Sequence, residues 1–94
     1  MNKQEFLMKG ALRQAYVETD AGAAVVRELT VAERGQYVEL AKAAPHRLVT
    51  WLVATCLADP ELTEDEAASL SPSLLDVLAR GALKVSGLVD AGND

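Results

Sequence analysis

One histidine and one cysteine, His46 and Cys56, are the residues of this chain best suited to chemistry. His46 follows Pro45 in the first turn of a predicted helix, and no nucleophile adjoins it that a general base could activate. Cys56 lies near the C-terminal end of an apolar helix, whereas a reactive thiolate favours a helix N-terminus or nearby cations. We therefore expect a thiol that fills the core, no catalytic residue and no enzyme activity.

Five acidic residues follow this helix closely: Asp59, Glu61, Glu64, Asp65 and Glu66. A calcium loop of the helix-loop-helix type needs alternating oxygen ligands and a glycine at its sharp turn. Pro60 and Leu62 interrupt this run, and it contains no glycine. Acidic residues in the first turn of a helix are accounted for by the helix dipole. No glycine-rich phosphate loop is present either, so we predict no metal and no cofactor.

The composition indicates one small domain. The chain has 94 residues, of which 50% are hydrophobic, and a single cysteine, so it cannot form an internal disulfide and belongs in a reducing compartment. Its longest apolar stretch, residues 48–58, is shorter than the ~18 residues of a membrane span. Charges interrupt the apolar segment at the N-terminus, which therefore does not resemble a signal peptide. We expect a single domain over residues 1–94, in the cytoplasm and not in a membrane.

The net charge of −5 is unevenly distributed. Residues 1–56 hold 7 basic and 6 acidic side chains, and residues 57–94 hold 2 basic and 8 acidic side chains. A nucleic-acid-binding domain needs a basic stripe that displaces counterions from phosphates. Because the basic residues here are dispersed, we predict no nucleic-acid partner.

The first third of the chain predicts a helix followed by a hairpin. An N-terminal helix is expected over residues 1–13, with Asn2 as its cap and Gly10 weakening it. The period then changes, and two segments with β-branched residues flank Asp20-Ala21-Gly22. This pattern predicts one short β-hairpin over about residues 15–29.

The remainder predicts helices with clear start signals. Thr30 and Glu33 form a capping box that opens a helix to about residue 44, with an apolar stripe through Val31, Gly35, Val38 and Ala41. A central helix is expected from Pro45 to about residue 58, with Trp51 in the core, and Asp59-Pro60 ends it.

The last two helices complete the predicted fold. A second capping box, Thr63 and Glu66, opens a short helix, and Ser71-Pro72 opens a final one that Gly87 ends. The inward side of the final helix is predicted to comprise Leu74, Leu75, Leu78, Ala82 and Val85. The fold class is mainly α, a small helical domain of about four to five helices with one short hairpin, and residues 88–94 are predicted to form a flexible tail.

Three stretches resemble the tail assembly chaperones of long-tailed bacteriophages and prophages. The first is residues 26–34, VRELTVAER, which is similar to that family's strand leading into a capped helix. The second is residues 52–59, followed by an acidic turn. The third comprises residues 62–66, 74–78 and 82–88, whose ending resembles the family's terminal helix. The family often carries a glycine in the turn where this chain has Asp59-Pro60-Glu61.

The resemblance implies a non-catalytic function. Such chaperones bind the long helical tape-measure protein, keep it soluble and help to recruit tail-tube subunits, and they are absent from the mature virion. The expected partners are therefore the tape-measure protein, the tail-tube protein and further copies of this chain. Two other classes stay open, a small acidic adaptor and a head-to-tail connector, each of which binds a protein partner.

The first helix is the expected partner-binding surface. Its apolar residues cover more than one face, so burial of one face leaves others free for an amphipathic client helix or for another copy. The candidate partner-binding residues are Phe6, Leu7, Met8, Ala11 and Leu12.

Overall fold

The structure, a computed structural model, describes residues 2–9 and 11–88 of the chain. Five α-helices and three short strands follow one another in these ranges, with a single 3₁₀ turn at Pro45–Arg47. Their bounds are α1 Lys3–Lys9, β1 Gln14–Thr19, β2 Gly22–Arg27, α2 Val31–Ala43, α3 Leu48–Cys56, β3 Leu57–Asp59, α4 Glu64–Ala68 and α5 Pro72–Val85. No helix of the described ranges is long and apolar enough to cross a membrane.

The predicted hairpin is confirmed, with its strands at residues 14–19 and 22–27. β1 and β2 are antiparallel, with Tyr16 opposite Val25 and Thr19 opposite Gly22. The turn between them consists of Asp20 and Ala21, and the φ angle of Gly22 is +118°, a value that side-chain-bearing residues rarely adopt. Gly22 therefore allows the backbone conformation of the turn that the sequence predicted.

A third strand makes the fold mixed α/β rather than mainly helical with one hairpin. The central helix, predicted to reach residue 58, ends at Cys56, and Leu57–Asp59 pairs with β2 instead. Two causes act together: Pro60 disfavours a helical conformation at residue 59, and the unpaired side of β2 offers backbone partners to an extended chain. The sheet order is β1-β2-β3, all antiparallel.

The N-terminal helix is shorter than predicted. Its cap is confirmed, because the Glu5 N–H donates to the Asn2 side chain at 2.8 Å, but α1 ends at Lys9 rather than near residue 13. Arg13 already belongs to the hairpin, since its carbonyl accepts from the Glu28 N–H at 2.9 Å. Residues 89–94 of the predicted tail lie outside the described residues.

The core forms where α3 and α5 pack together and α5 covers one face of the hairpin. Its buried apolar residues are Ala24, Val26, Leu29, Leu52, Val53, Cys56, Leu57, Ala67, Leu78, Ala79 and Ala82. The predicted inward side of α5 is confirmed, with Leu78 and Ala82 buried and its other members partly buried. Gly81 has the tightest surroundings of the described glycines, because an added Cβ would lie 2.5 Å from Cγ2 of Val17.

Candidate partner-binding surface

The described part of the predicted N-terminal surface is exposed. No other element of the described ranges packs extensively against α1. The side chain of Leu7 is 62% exposed and that of Leu12 is 36% exposed, and Ala11 is also exposed. The side chains of Phe6 and Met8 lie outside the part that the structure describes. The structure thus leaves apolar groups of this segment open to a partner.

The apolar stripe of α2 is a second exposed surface. Val31 is 89% exposed and Val38 is 49% exposed, while Gly35 and Ala41 are exposed between and beyond them. The half-buried side of the helix instead carries Glu33, Tyr37 and Leu40. No residue of α2 is buried. The side of α2 that contacts the rest of the protein therefore carries both polar and apolar residues, and the apolar stripe faces solvent.

An ion pair fixes this orientation of α2. Arg27, at the end of β2, donates from Nη1 and Nη2 to the two carboxylate oxygens of Glu33 at 2.8 and 3.1 Å. Glu33 also completes the predicted capping box, because it accepts from the Thr30 N–H at 2.9 Å and its own N–H donates to Thr30 Oγ1 at 3.1 Å. The hydrogen bonds from Arg27 are the main cause that lowers the pKa of Glu33 to about 2. The first turn of α2 is thereby turned towards the sheet.

Ser86, near the other end of the chain, also holds the start of α2 in place. It is fully buried, and its Oγ accepts from the Leu29 N–H at 3.0 Å. Its carbonyl accepts from Nη2 of Arg34 in the first turns of α2. Ser86, the residue that follows α5, therefore binds both Leu29, in the segment before α2, and Arg34 of α2.

A shallow cleft lies between α2 and α3. It has a volume of about 310 Å³ and is lined by Gln36, Glu39, Leu40, Ala43, Arg47 and Trp51. Trp51, predicted to lie in the core, is only partly buried and forms one wall of this cleft. The ring is therefore accessible to a partner that binds near α2.

A third surface follows the outer edge of β1. Tyr16 projects from this strand and is 82% exposed. Beside it a groove of about 380 Å³ runs between β1 and α5, with Val77, Arg80 and Lys84 on the helix side. The basic side chains here contrast with the acidic balance of the whole chain.

The two residues best suited to chemistry lie in different surroundings, one buried and one exposed. Cys56 is fully buried, as predicted, and burial is the main cause that raises the pKa of its thiol to about 11. A thiol with this pKa is almost entirely protonated at neutral pH. His46 is exposed in the 3₁₀ turn before α3.

Two residues of the acidic cluster, Glu64 and Glu66, have structural roles. Glu64 accepts from Nε and Nη2 of Arg47 at 3.0 and 2.9 Å, and these bonds lower the pKa of Glu64. Glu66 completes the predicted second capping box with Thr63. Within residues 2–9 and 11–88, no three His, Cys, Asp or Glu side chains lie close enough to hold a metal ion.

The sequence predictions missed the exposed groups of β1 and α2. Tyr16 could have been found, because it alternates with Ala15 and Val17, and the face that carries two small apolar residues packs on α5. The outward stripe of α2 had no such signal, since apolar residues normally mark the core side of a helix. Comparisons with protein-family models, curated proteins and solved structures gave no match.

Proposed function

We propose that this chain is a non-catalytic tail assembly chaperone of a long-tailed bacteriophage or prophage. It binds the helical tape-measure protein, keeps that client soluble and helps to recruit tail-tube subunits. It acts in the bacterial cytoplasm and is absent from the mature virion. The proposal starts from the resemblance over residues 26–34, 52–59 and 62–88.

The observation that supports this function best is the exposed apolar group on α1 and just after it. Leu7 and Leu12 project from a segment against which no element of the described ranges packs extensively. A long amphipathic client must have its apolar stripe covered until tube subunits replace the chaperone. An exposed segment that carries these two leucines supplies such a cover without any rearrangement of the core.

The small size of this surface favours weak, reversible binding. Full burial of a leucine side chain contributes about 1.5–3 kcal/mol, and association costs several kcal/mol before any net affinity remains. One copy therefore holds only a short client segment weakly. Many copies along one client give both coverage and ready release, which a temporary assembly factor requires.

Co-expression with the candidate client tests this function. The client is the product of a neighbouring gene that encodes a very long helical protein, and the measured quantity is its soluble fraction with and without this chain. Leu7→Glu should reduce that fraction and the amount of complex recovered by size exclusion. Gln4→Glu adds the same charge to the same helix at an exposed polar position and should leave both unchanged.

Deletion of residues 1–12 gives a stronger version of the test. Client binding should be lost, while the circular dichroism of the remaining helices is kept. A shortened chain that still solubilises the client would contradict the assignment of the surface to this segment. Recovery of the chain from purified virions would contradict the chaperone function and favour a head-to-tail connector.

A further inference from the structure

The core is open at the end next to the hairpin turn. A cavity of about 210 Å³, here called the turn cavity, enters the core there. Its lining combines three buried apolar residues with three partly buried leucines, namely Ala24, Leu57, Leu78, Leu62, Leu70 and Leu74. Exposed residues 21–23 of the turn and Pro60 also line it, so the cavity opens to solvent.

The interior of the turn cavity suits an apolar group. Of the described residues that line it, only Thr19 has a polar side chain. That hydroxyl is already engaged within the turn, because it donates to the Gly22 carbonyl and accepts from the Ala21 N–H. A polar group inside the cavity would lose its hydrogen bonds to water with little in return.

A wider polar hollow adjoins the turn cavity. It has a volume of about 540 Å³, and Thr19, Ala21 and Leu74 line both spaces. Its other polar side chains are those of Glu18, Asp20, Ser71 and Ser73. An apolar space and an acidic space therefore lie side by side, and no basic side chain is among the described residues that line them.

The carboxylates of this hollow have no basic partner in residues 2–9 and 11–88. Asp20 and Glu18 are exposed, and neither forms an ion pair or a side-chain hydrogen bond with a described residue. Glu18 also borders the groove that contains Arg80, but the two side chains are not within ion-pair distance. Asp20 does not line that groove, so it is the carboxylate better placed for a cation from outside.

The size of the turn cavity matches one side chain. Sites for free small molecules commonly have roughly 300–1,000 Å³. A cavity of roughly 150 Å³ already holds a benzene-sized group. The 210 Å³ present here are therefore enough for one leucine, methionine or phenylalanine side chain. A single apolar side chain buried in a pocket is a common anchor of protein–protein contacts.

We propose that the turn cavity binds one large apolar side chain of a partner protein, and that Asp20 binds a lysine or arginine beside it. The occupant is thus a basic segment with an apolar anchor. Charge complementarity selects it, because Asp59 and Glu61, exposed on either side of Pro60, add to the negative charge near the mouth. An acidic segment with the same anchor would be repelled.

This inference is independent of the proposed chaperone function. The client surface was assigned to residues 1–12, none of which lines the turn cavity or the hollow beside it. A chain lacking residues 1–12 should therefore still bind the basic segment. Loss of client binding with intact binding at the turn cavity separates the two surfaces.

Three short peptides test the required chemistry. The probes are acetylated Lys-Phe-Lys, Lys-Ala-Lys and Glu-Phe-Glu amides, titrated into protein with labelled leucine methyl groups and followed by nuclear magnetic resonance. Lys-Phe-Lys should shift the signals of Leu74 and Leu78 and bind about tenfold or more tightly than either other peptide, because only it matches both spaces. Equal binding of Lys-Ala-Lys, or no saturable shift of these signals at millimolar peptide, would overturn the proposal.

Charge reversal at the hollow tests the role of Asp20. Asp20→Lys should reverse the preference, so that Glu-Phe-Glu binds more tightly than Lys-Phe-Lys. Glu39→Lys is the matched control, because it makes the same charge change at an exposed position of α2 and should leave the preference unchanged. Asp20→Asn keeps the shape of the side chain and should weaken Lys-Phe-Lys binding alone. A preference for Lys-Phe-Lys that survives in folded Asp20→Lys and Asp20→Asn would overturn the assignment of the cation to Asp20.

Filling the turn cavity tests the anchor position. Leu74→Phe adds bulk to its lining and should abolish the shift that Lys-Phe-Lys causes at Leu78. Leu75→Phe is the matched control, because Leu75 is also partly buried on α5 but does not line the cavity, and it should bind the peptide as the native chain does. Circular dichroism confirms that both variants are folded. Native affinity in folded Leu74→Phe would show that the anchor binds elsewhere.

Discussion

Arg27 and Thr30 donate to the same oxygen of Glu33. Oε1 accepts from Nη1 of Arg27 at 2.8 Å and from the Thr30 N–H at 2.9 Å. One carboxylate therefore caps α2 and ties that helix to the end of β2. This carboxylate and the Ser86 carbonyl, which accepts from Arg34, together hold α2 in the orientation that exposes its stripe.

Removal of the Glu33 charge should destabilise the protein. Glu33→Gln should lower the free energy of unfolding by about 2 kcal/mol at pH 7, because charge-assisted hydrogen bonds are lost. Urea denaturation measures this change. Glu39→Gln, on an exposed position of the same helix, should change it by less than about 0.5 kcal/mol.

The contribution of Glu33 should also depend on pH. The pKa of this carboxyl falls from an ordinary 4.5 to about 2 in the folded chain. The stabilisation is therefore present above pH 4.5 and is lost as the pH falls towards 2. The stability difference between native chain and Glu33→Gln should shrink through that window. A difference that stays constant down to about pH 2 would argue against the ion pair.

The same substitution at two glycines should have opposite effects. Gly81→Ala places a Cβ against Val17 at 2.5 Å and should cost about 1–3 kcal/mol of unfolding free energy. Gly35 is also inside a helix, but apart from its own helix backbone and chain neighbours no atom lies within 4 Å of where a methyl group would be, so Gly35→Ala should stabilise by about 0.5–1 kcal/mol. Thermal unfolding followed by circular dichroism compares the two. Val17→Ala should relieve part of the Gly81→Ala loss.

Ser86→Ala should lower the free energy of unfolding, because a buried backbone donor loses its acceptor. The Leu29 N–H loses its acceptor, which should cost about 1–3 kcal/mol. Ser73→Ala, at an exposed position of α5, should change the unfolding free energy by no more than about 0.5 kcal/mol. Equal effects of the two variants in urea denaturation would contradict the buried hydrogen bond.

The Cys56 thiol should be unreactive in the folded protein. Burial raises its pKa to about 11, and the side chain is inaccessible to a reagent in solution. Labelling with a thiol reagent at about pH 8 should proceed only after denaturant is added. Fast labelling of the native chain would show that α3 opens locally or packs less tightly than described.

Local signals predicted most of the elements, because their chemistry is complete within a few residues. The two capping boxes, the Ser71-Pro72 start and the Gly87 end are confirmed. The left-handed glycine at residue 87, with φ of +73°, ends the last helix as expected. The turn around Asp20 and Ala21 belongs to the same class of short-range signals.

The sequence predictions were wrong where the structure depends on residues that are distant in the sequence. Residues 57–59 read as the end of an apolar helix, but hydrogen bonding to β2 makes them a strand. The α2 stripe was visible in the sequence, yet the side that faces the body is set by Arg27 and Ser86, which lie in other parts of the fold. Trp51 packs against the core as predicted, but it is only partly buried. For the candidate surface, the sequence could identify the leucines near the N-terminus but not the open edge of β1.

The anchoring role of Ser86 sets a limit on when the chain can fold during translation. The hydrogen bond to Leu29 spans 57 residues, and α5 contributes Leu78, Ala79 and Ala82 to the core. A nascent chain that stops after α4 therefore lacks the cover of its sheet and the acceptor that secures the segment before α2. The native fold is therefore completed only after residue 86 has left the ribosome, and until then the hairpin lacks the cover of α5.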